Sequence, residues 1–135
     1  MIQAAIERLF MQKRPEINDG IGEFRPTGEY TLTEAVELIG GAIAYCREHR
    51  VAKLLVIGTG ITGIPVPSLI DRFLLAEDWA ERAKSMVVVV LVVHPEYIHP
   101  QKFGVKVAAD FGLTLDVYSS EEDAREWLSS QDGRN

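Results

Sequence analysis

Apolar and polar positions along this chain follow two periods, and the switches between them divide it into strands and helices. The run Met86-Val-Val-Val-Val-Leu-Val-Val93 contains no polar residue and is rich in β-branched side chains, which suits a central strand buried on both faces of an α/β sheet. Ala52-Lys-Leu-Leu-Val-Ile57, stopped by Gly58, is a second run of strand length. Leu113-Thr-Leu-Asp-Val-Tyr118 is a third, with period-two alternation. Between these runs the period lengthens. Leu69, Ile70, Phe73, Leu74, Trp79, Ala80 and Ala83 recur at helical spacing, as do Phe103, Val105, Val107, Ala108 and Phe111.

Upstream, Thr31-Leu-Thr-Glu34 has the form of a capping box, in which the threonine oxygen accepts from a free N–H three residues on and the glutamate reaches back. The helix it starts turns Leu32, Ala35, Val36, Leu38, Ile39, Ala42, Ile43 and Cys46 inward and ends near His49-Arg50, where basic side chains complement unpaired carbonyls. Gly40-Gly41 weakens it by roughly 1 kcal/mol per glycine, so close packing on the sheet is the expected return. Strand-like stretches at Ala4–Gln12 and Gly22–Tyr30 flank a polar turn at Asn18-Asp-Gly20 and predict an opening β-hairpin. Ser119 to Leu128 places serine caps and acidic residues at the start of a last helix with Ala124, Trp127 and Leu128 inward, and residues 131–135 are expected to be a flexible tail. The order is β-β-α-β-α-β-α-β-α: an α/β domain over residues 1–130, with a mixed five-stranded sheet and about four helices.

Composition narrows the function. The 135 residues suit one domain, with 47% hydrophobic and 25% charged side chains. A net charge of −6 disfavours nucleic acid and anionic membrane surfaces as partners. Cys46 is the only cysteine, so no disulfide forms within the chain. With no signal-like start and no apolar run long enough to span a bilayer, the expected location is cytoplasmic.

Three strings resemble the STAS domain of anti-sigma-factor antagonists, in its small stand-alone SpoIIAA-like form. They are Gly28-Glu-Tyr-Thr-Leu32, Leu55-Val-Ile-Gly-Thr-Gly-Ile-Thr-Gly-Ile64, and the stretch from Lys102-Phe-Gly-Val-Lys106 to Leu113. The resemblance covers most of the chain and implies a STAS-like fold and a non-enzymatic regulatory or protein-interaction role. It also implies a phosphorylatable serine in an Asp-Ser-Ser-Gly-Leu motif before the second helix. Here Pro65, Val66, Pro67 and Ser68 occupy the first four motif positions ahead of Leu69, so the phosphoswitch serine is absent.

The loop after the second apolar run carries the candidate chemistry. Gly58-Thr-Gly-Ile-Thr-Gly63 has the spacing of a dinucleotide fingerprint, but Pro65 and Pro67 delay the helix beyond the third glycine. Glycines at positive φ in a long loop are the expected explanation, and no cofactor is assigned. Ser68 reads as a cap and Asp71 as a first-turn acid. Arg72, turned toward the strand ends, would pair a ligand carboxylate or phosphate with its two-pronged guanidinium. His94-Pro-Glu-Tyr-Ile-His-Pro100 should sit beside this loop at the carboxyl edge of the sheet, where ligands of α/β folds bind. Its spacing matches no zinc pattern, so no metal is assigned.

The expected binding residues are therefore Thr59, Thr62, Ser68, Arg72, His94 and Tyr97. No catalytic residue is assigned, because no nucleophile and base share a motif. The leading expectation is a protein partner, either a regulator or a second copy, since an opening hairpin leaves a sheet edge that a homodimer would cover. The alternative is a small-molecule or lipid-binding pocket at the same edge: a dry concavity would favour it, and a flat loop would favour protein docking.

Overall fold

A computed structural model describes residues 14–131. Asp19 and Gly20 hold φ values of 53° and 77°, the positive pair that a type I′ turn needs. They fold β1 (Glu16–Asn18) back antiparallel on β2 (Ile21–Phe24). This hairpin is tighter than expected. The second stretch divides at Arg25-Pro-Thr27 into β2 and a separate two-residue β3 (Gly28–Glu29), because proline has no N–H for a continuing ladder. The expected strand over Ala4–Gln12 and the expected tail beyond residue 131 lie outside the described residues.

Thr31 caps α1 (Leu32–Glu48) through the capping box with Glu34, as the sequence predicts. Gly40 lies elsewhere than expected. A Cβ there would stand 2.8 Å from Nε of Arg82, so the glycine makes room for a neighbouring helix's arginine, which reaches across to Glu37 at 2.6 Å. The sheet is not what it admits.

Strand β4 (Lys53–Ile57) follows, and then a loop with its own short strand, β5 (Ile61–Thr62), parallel to β3. Positive φ explains only one of its glycines, Gly63 at 88°. Gly58 and Gly60 allow close approach instead: a Cβ would sit 3.2 Å from the Val92 carbonyl oxygen and 3.0 Å from that of Pro26, respectively. Helix α2 (Leu69–Ala83) starts at a second capping box, Ser68 with Asp71. Its buried residues are Ala76, Trp79, Ala80 and Ala83, while the expected inward positions Leu69, Ile70, Phe73 and Leu74 are exposed, Ile70 by 72%. Apolar spacing gave that helix's period correctly but not which part of its stripe is covered.

The remaining elements are β6 (Val88–Val92), a 3₁₀ turn (Pro95–Tyr97), α3 (Phe103–Asp110), β7 (Leu115–Tyr118) and α4 (Glu121–Ser129), the last capped by Ser120. The five-stranded mixed sheet has the order β1-β2-β4-β6-β7, with only β1 antiparallel to its neighbour. Strand β4 holds the centre. β6, expected there, is interior but one place toward β7. Four helices complete the α/β fold among the described residues, and none is long and apolar enough to cross a membrane.

Alternation along the strands sends side chains to two layers. Leu54, Val89 and Leu115 form one row across the sheet, and Phe24, Val56, Leu91 and Val117 form the next row toward the carboxyl ends. Both rows lie under α1, α2 and α3. Leu55, Val88, Val90 and Val92 face the other way, onto Ala124 and Leu128 of α4.

Candidate functional site

In a parallel β/α arrangement each helix runs back against its strand, so the amino-terminal halves of the helices stand over the carboxyl ends of the strands. Here those halves do not close on the sheet. Val56, Leu91 and Val117 are the floor of a concave cavity of about 160 Å³, with Ala35, Val36 and Ile39 of α1 on one side and Leu75 and Trp79 of α2 on another. Val105 and Gly104 of α3 and the loop residues Gly58, Ile61, Ile64 and Pro67 complete the wall. The volume is close to that of an engineered apolar cavity, about 150 Å³, that stays dry and holds benzene.

Polar side chains enter only at the rim. The Trp79 indole N–H is spent on the Val36 carbonyl at 3.0 Å, so the ring presents its apolar face without a buried unpaired donor. Tyr97 donates its hydroxyl to the Ile64 carbonyl, tying the 3₁₀ turn to the loop before α2. Arg72 braces the same two segments: Nε donates to the Pro67 carbonyl at 3.2 Å and Nη1 to the Tyr97 carbonyl at 3.0 Å. Burial pushes this guanidinium's pKa below its ordinary value, and none of the described residues gives it a carboxylate partner.

Lys102 also lines the cavity, yet its charge is used elsewhere. It holds φ at 51° ahead of α3, and its ammonium lies 2.7 Å from Asp116 Oδ1 and 4.5 Å from the centre of the Tyr118 ring. Asp116 shares the strand face of Val90, opposite the cavity. Tyr118 donates to Asp116 at 3.0 Å, and burial first, then that carboxylate, pushes its phenol up to about 12.

Of the residues expected from sequence, the structure gathers Arg72, His94 and Tyr97 around one cavity. Thr59 stands behind His94, its carbonyl 3.2 Å from Nε2. Thr62 is exposed and donates to the Gly28 carbonyl at 3.4 Å, and Ser68 is spent on the α2 cap; neither is among the cavity residues. Sequence reasoning missed the apolar lining, and it placed His99 at this edge without counting it among the binding residues. The lining residues are spaced as ordinary core positions, so no local signal separates them from core. Among the described residues no three His, Cys, Asp or Glu side chains are grouped to hold a metal ion. Cys46 is fully buried, and burial pushes its thiol up to about 12, which keeps it protonated and unreactive.

No protein-family model matches the chain, and a search of curated proteins finds no match either.

Proposed function

We propose that this chain is a non-enzymatic binding protein for small apolar molecules, which it takes at the carboxyl edge of its sheet. One observation carries the reading: the edge is a concave, largely apolar cavity of benzene-binding size rather than a flat loop. Lack of turnover chemistry is part of the proposal. Among the described residues no serine, threonine, cysteine or carboxylate side chain lines the cavity, and the Tyr97 hydroxyl is already bonded. The opening hairpin, mixed five-stranded sheet and four helices support a STAS-like scaffold for this site.

Thermal unfolding with toluene tests the reading. A tenfold excess of ligand over Kd adds about 1.4 kcal/mol and raises Tm by roughly 5 °C for a domain of this size. Val105→Phe fills the cavity from α3 and should remove that shift while the protein still folds. An unchanged Tm for the wild-type protein in toluene-saturated buffer would contradict the proposal.

A second reading, the regulatory docking module implied by the STAS resemblance, is favoured by one feature. Val66, Leu69, Ile70, Phe73 and Leu74 leave an apolar band exposed along the start of α2, which is the kind of surface that partners cover. Sedimentation of the wild-type protein against Ile70→Glu checks its self-pairing form: a dimer converted to monomer supports it, and two monomers contradict it.

A further inference from the structure

A guanidinium carries five N–H donors. In Arg72 two of them are fixed, one on the Pro67 carbonyl and one on the Tyr97 carbonyl, and these bonds hold the group's plane at the cavity rim. The other three, two on Nη2 and one on Nη1, have no acceptor among the described residues. Arg25, Arg82 and Arg125 contrast with this, each holding a carboxylate within 3.0 Å. Arg72 is thus an oriented donor fork whose free edge has no acceptor among the described residues.

The charge around the cavity points the same way. Among the described residues no aspartate or glutamate lines it, and the Lys102 ammonium is neutralised by Asp116 on the opposite face of the sheet. Among the described residues the Arg72 guanidinium thus faces an apolar space without a counter-charge, where an unpaired charge is unfavourable and a single anion restores balance. His99 adds a neutral donor. The Gln101 N–H donates to its Nδ1 at 3.1 Å, which places the ring proton on Nε2. That Nε2–H makes no hydrogen bond among the described residues.

We propose that the ligand is a compact organic monoacid: a carboxylate held by the free edge of the Arg72 guanidinium, with a ring or a short branched body in the apolar cavity. This rests on the cavity being a ligand site. A carboxylate presents two coplanar oxygens to a guanidinium fork. A phosphate dianion would bring a second charge for which the described lining residues offer no free lysine or arginine, and a long acyl chain exceeds about 160 Å³.

Calorimetric titration of the full chain with benzoate, toluene, phenyl phosphate and palmitate tests the assignment. Wild-type protein should bind benzoate at least about tenfold more tightly than toluene, the return expected of a charge-assisted hydrogen bond. Arg72→Met should erase that preference while toluene still binds. If Arg72→Met does not fold, Arg72→Lys is measured instead; it keeps the charge but loses the fork. A fall of about tenfold or more in its benzoate-to-toluene ratio supports the proposal; an unchanged ratio overturns it. Toluene binding without preference for benzoate overturns the acid assignment and leaves the cavity reading standing, whereas failure of both ligands overturns both. Tighter binding of phenyl phosphate or palmitate than of benzoate also overturns the assignment.

Discussion

Two neighbouring rows on one face of the sheet, equally apolar and two residues apart, end differently. Leu54 and Val89 are fully buried, in one cluster with Ile43, Cys46, Ala80 and Ala83 from the carboxyl-terminal halves of α1 and α2, while Leu115 at the end of their row also reaches the cavity. Val56, Leu91 and Val117 have the same chemistry and lie under the amino-terminal halves, yet they floor a cavity. The strand residues do not make the difference. It comes from what lies above: α2 covers the sheet with Ala76, Trp79, Ala80 and Ala83, while Arg72, Leu75 and Trp79 line the cavity. The same hydrophobic pattern closes into core at one edge and leaves a cavity at the opposite edge.

The strongest way to break that comparison is to truncate one residue in each row. Leu54→Ala should cost about 3 kcal/mol, because a fully buried leucine leaves a void its neighbours cannot fill. Leu91→Ala, which only enlarges an existing space, should cost about half as much. Equilibrium urea unfolding compares the two, and equal costs would mean that the second row is packed like the first. A smaller effect of opposite sign sharpens the contrast. Val105→Phe at the open end should stabilise the protein by roughly 1 kcal/mol as a cavity-filling change, while Val89→Phe in the closed row should destabilise it by about 2 kcal/mol.

The smallest effect lies far from both rows and serves as a control. Hydrogen bonds from Arg25 first and Arg125 second hold the Glu121 carboxyl below its ordinary value of 4.5. A depressed folded-state pKa adds stability that is complete above that value and disappears as pH falls through the lower one. The three side chains are 38–49% exposed, so solvent screening limits the contribution to less than about 1 kcal/mol. Glu121→Gln should therefore flatten the acid limb of the stability profile slightly below pH 4.5 and leave ligand binding unchanged.

The scaffold was more legible than the site for a physical reason. Secondary structure is written locally: the capping boxes at Thr31 and Ser68, the Asp19-Gly20 turn and the β-branched run of β6 each carry their own signal. Arg72 and the His94–Tyr97 segment were legible as rim residues because an α/β chain brings those loops to one edge. A pocket at this edge was legible only as an alternative, and its lining was not, since a buried valine and a valine facing a void have the same periodicity. Nor was the exposed start of α2, where helical spacing records a stripe but not whether any element covers it. Gly40 shows the same limit: its pairing with Arg82 is a contact between helices that no local pattern encodes.

Trp79 stands in the cavity wall, and Trp127 is the only other tryptophan. Fluorescence of the Trp127→Phe protein therefore reports on the cavity alone. Titration with benzoate should change the Trp79 emission saturably, and the same titration of the Val105→Phe, Trp127→Phe protein should leave it flat. An emission that does not respond, or responds equally with the cavity filled, would contradict the central claim that this edge is an open binding site.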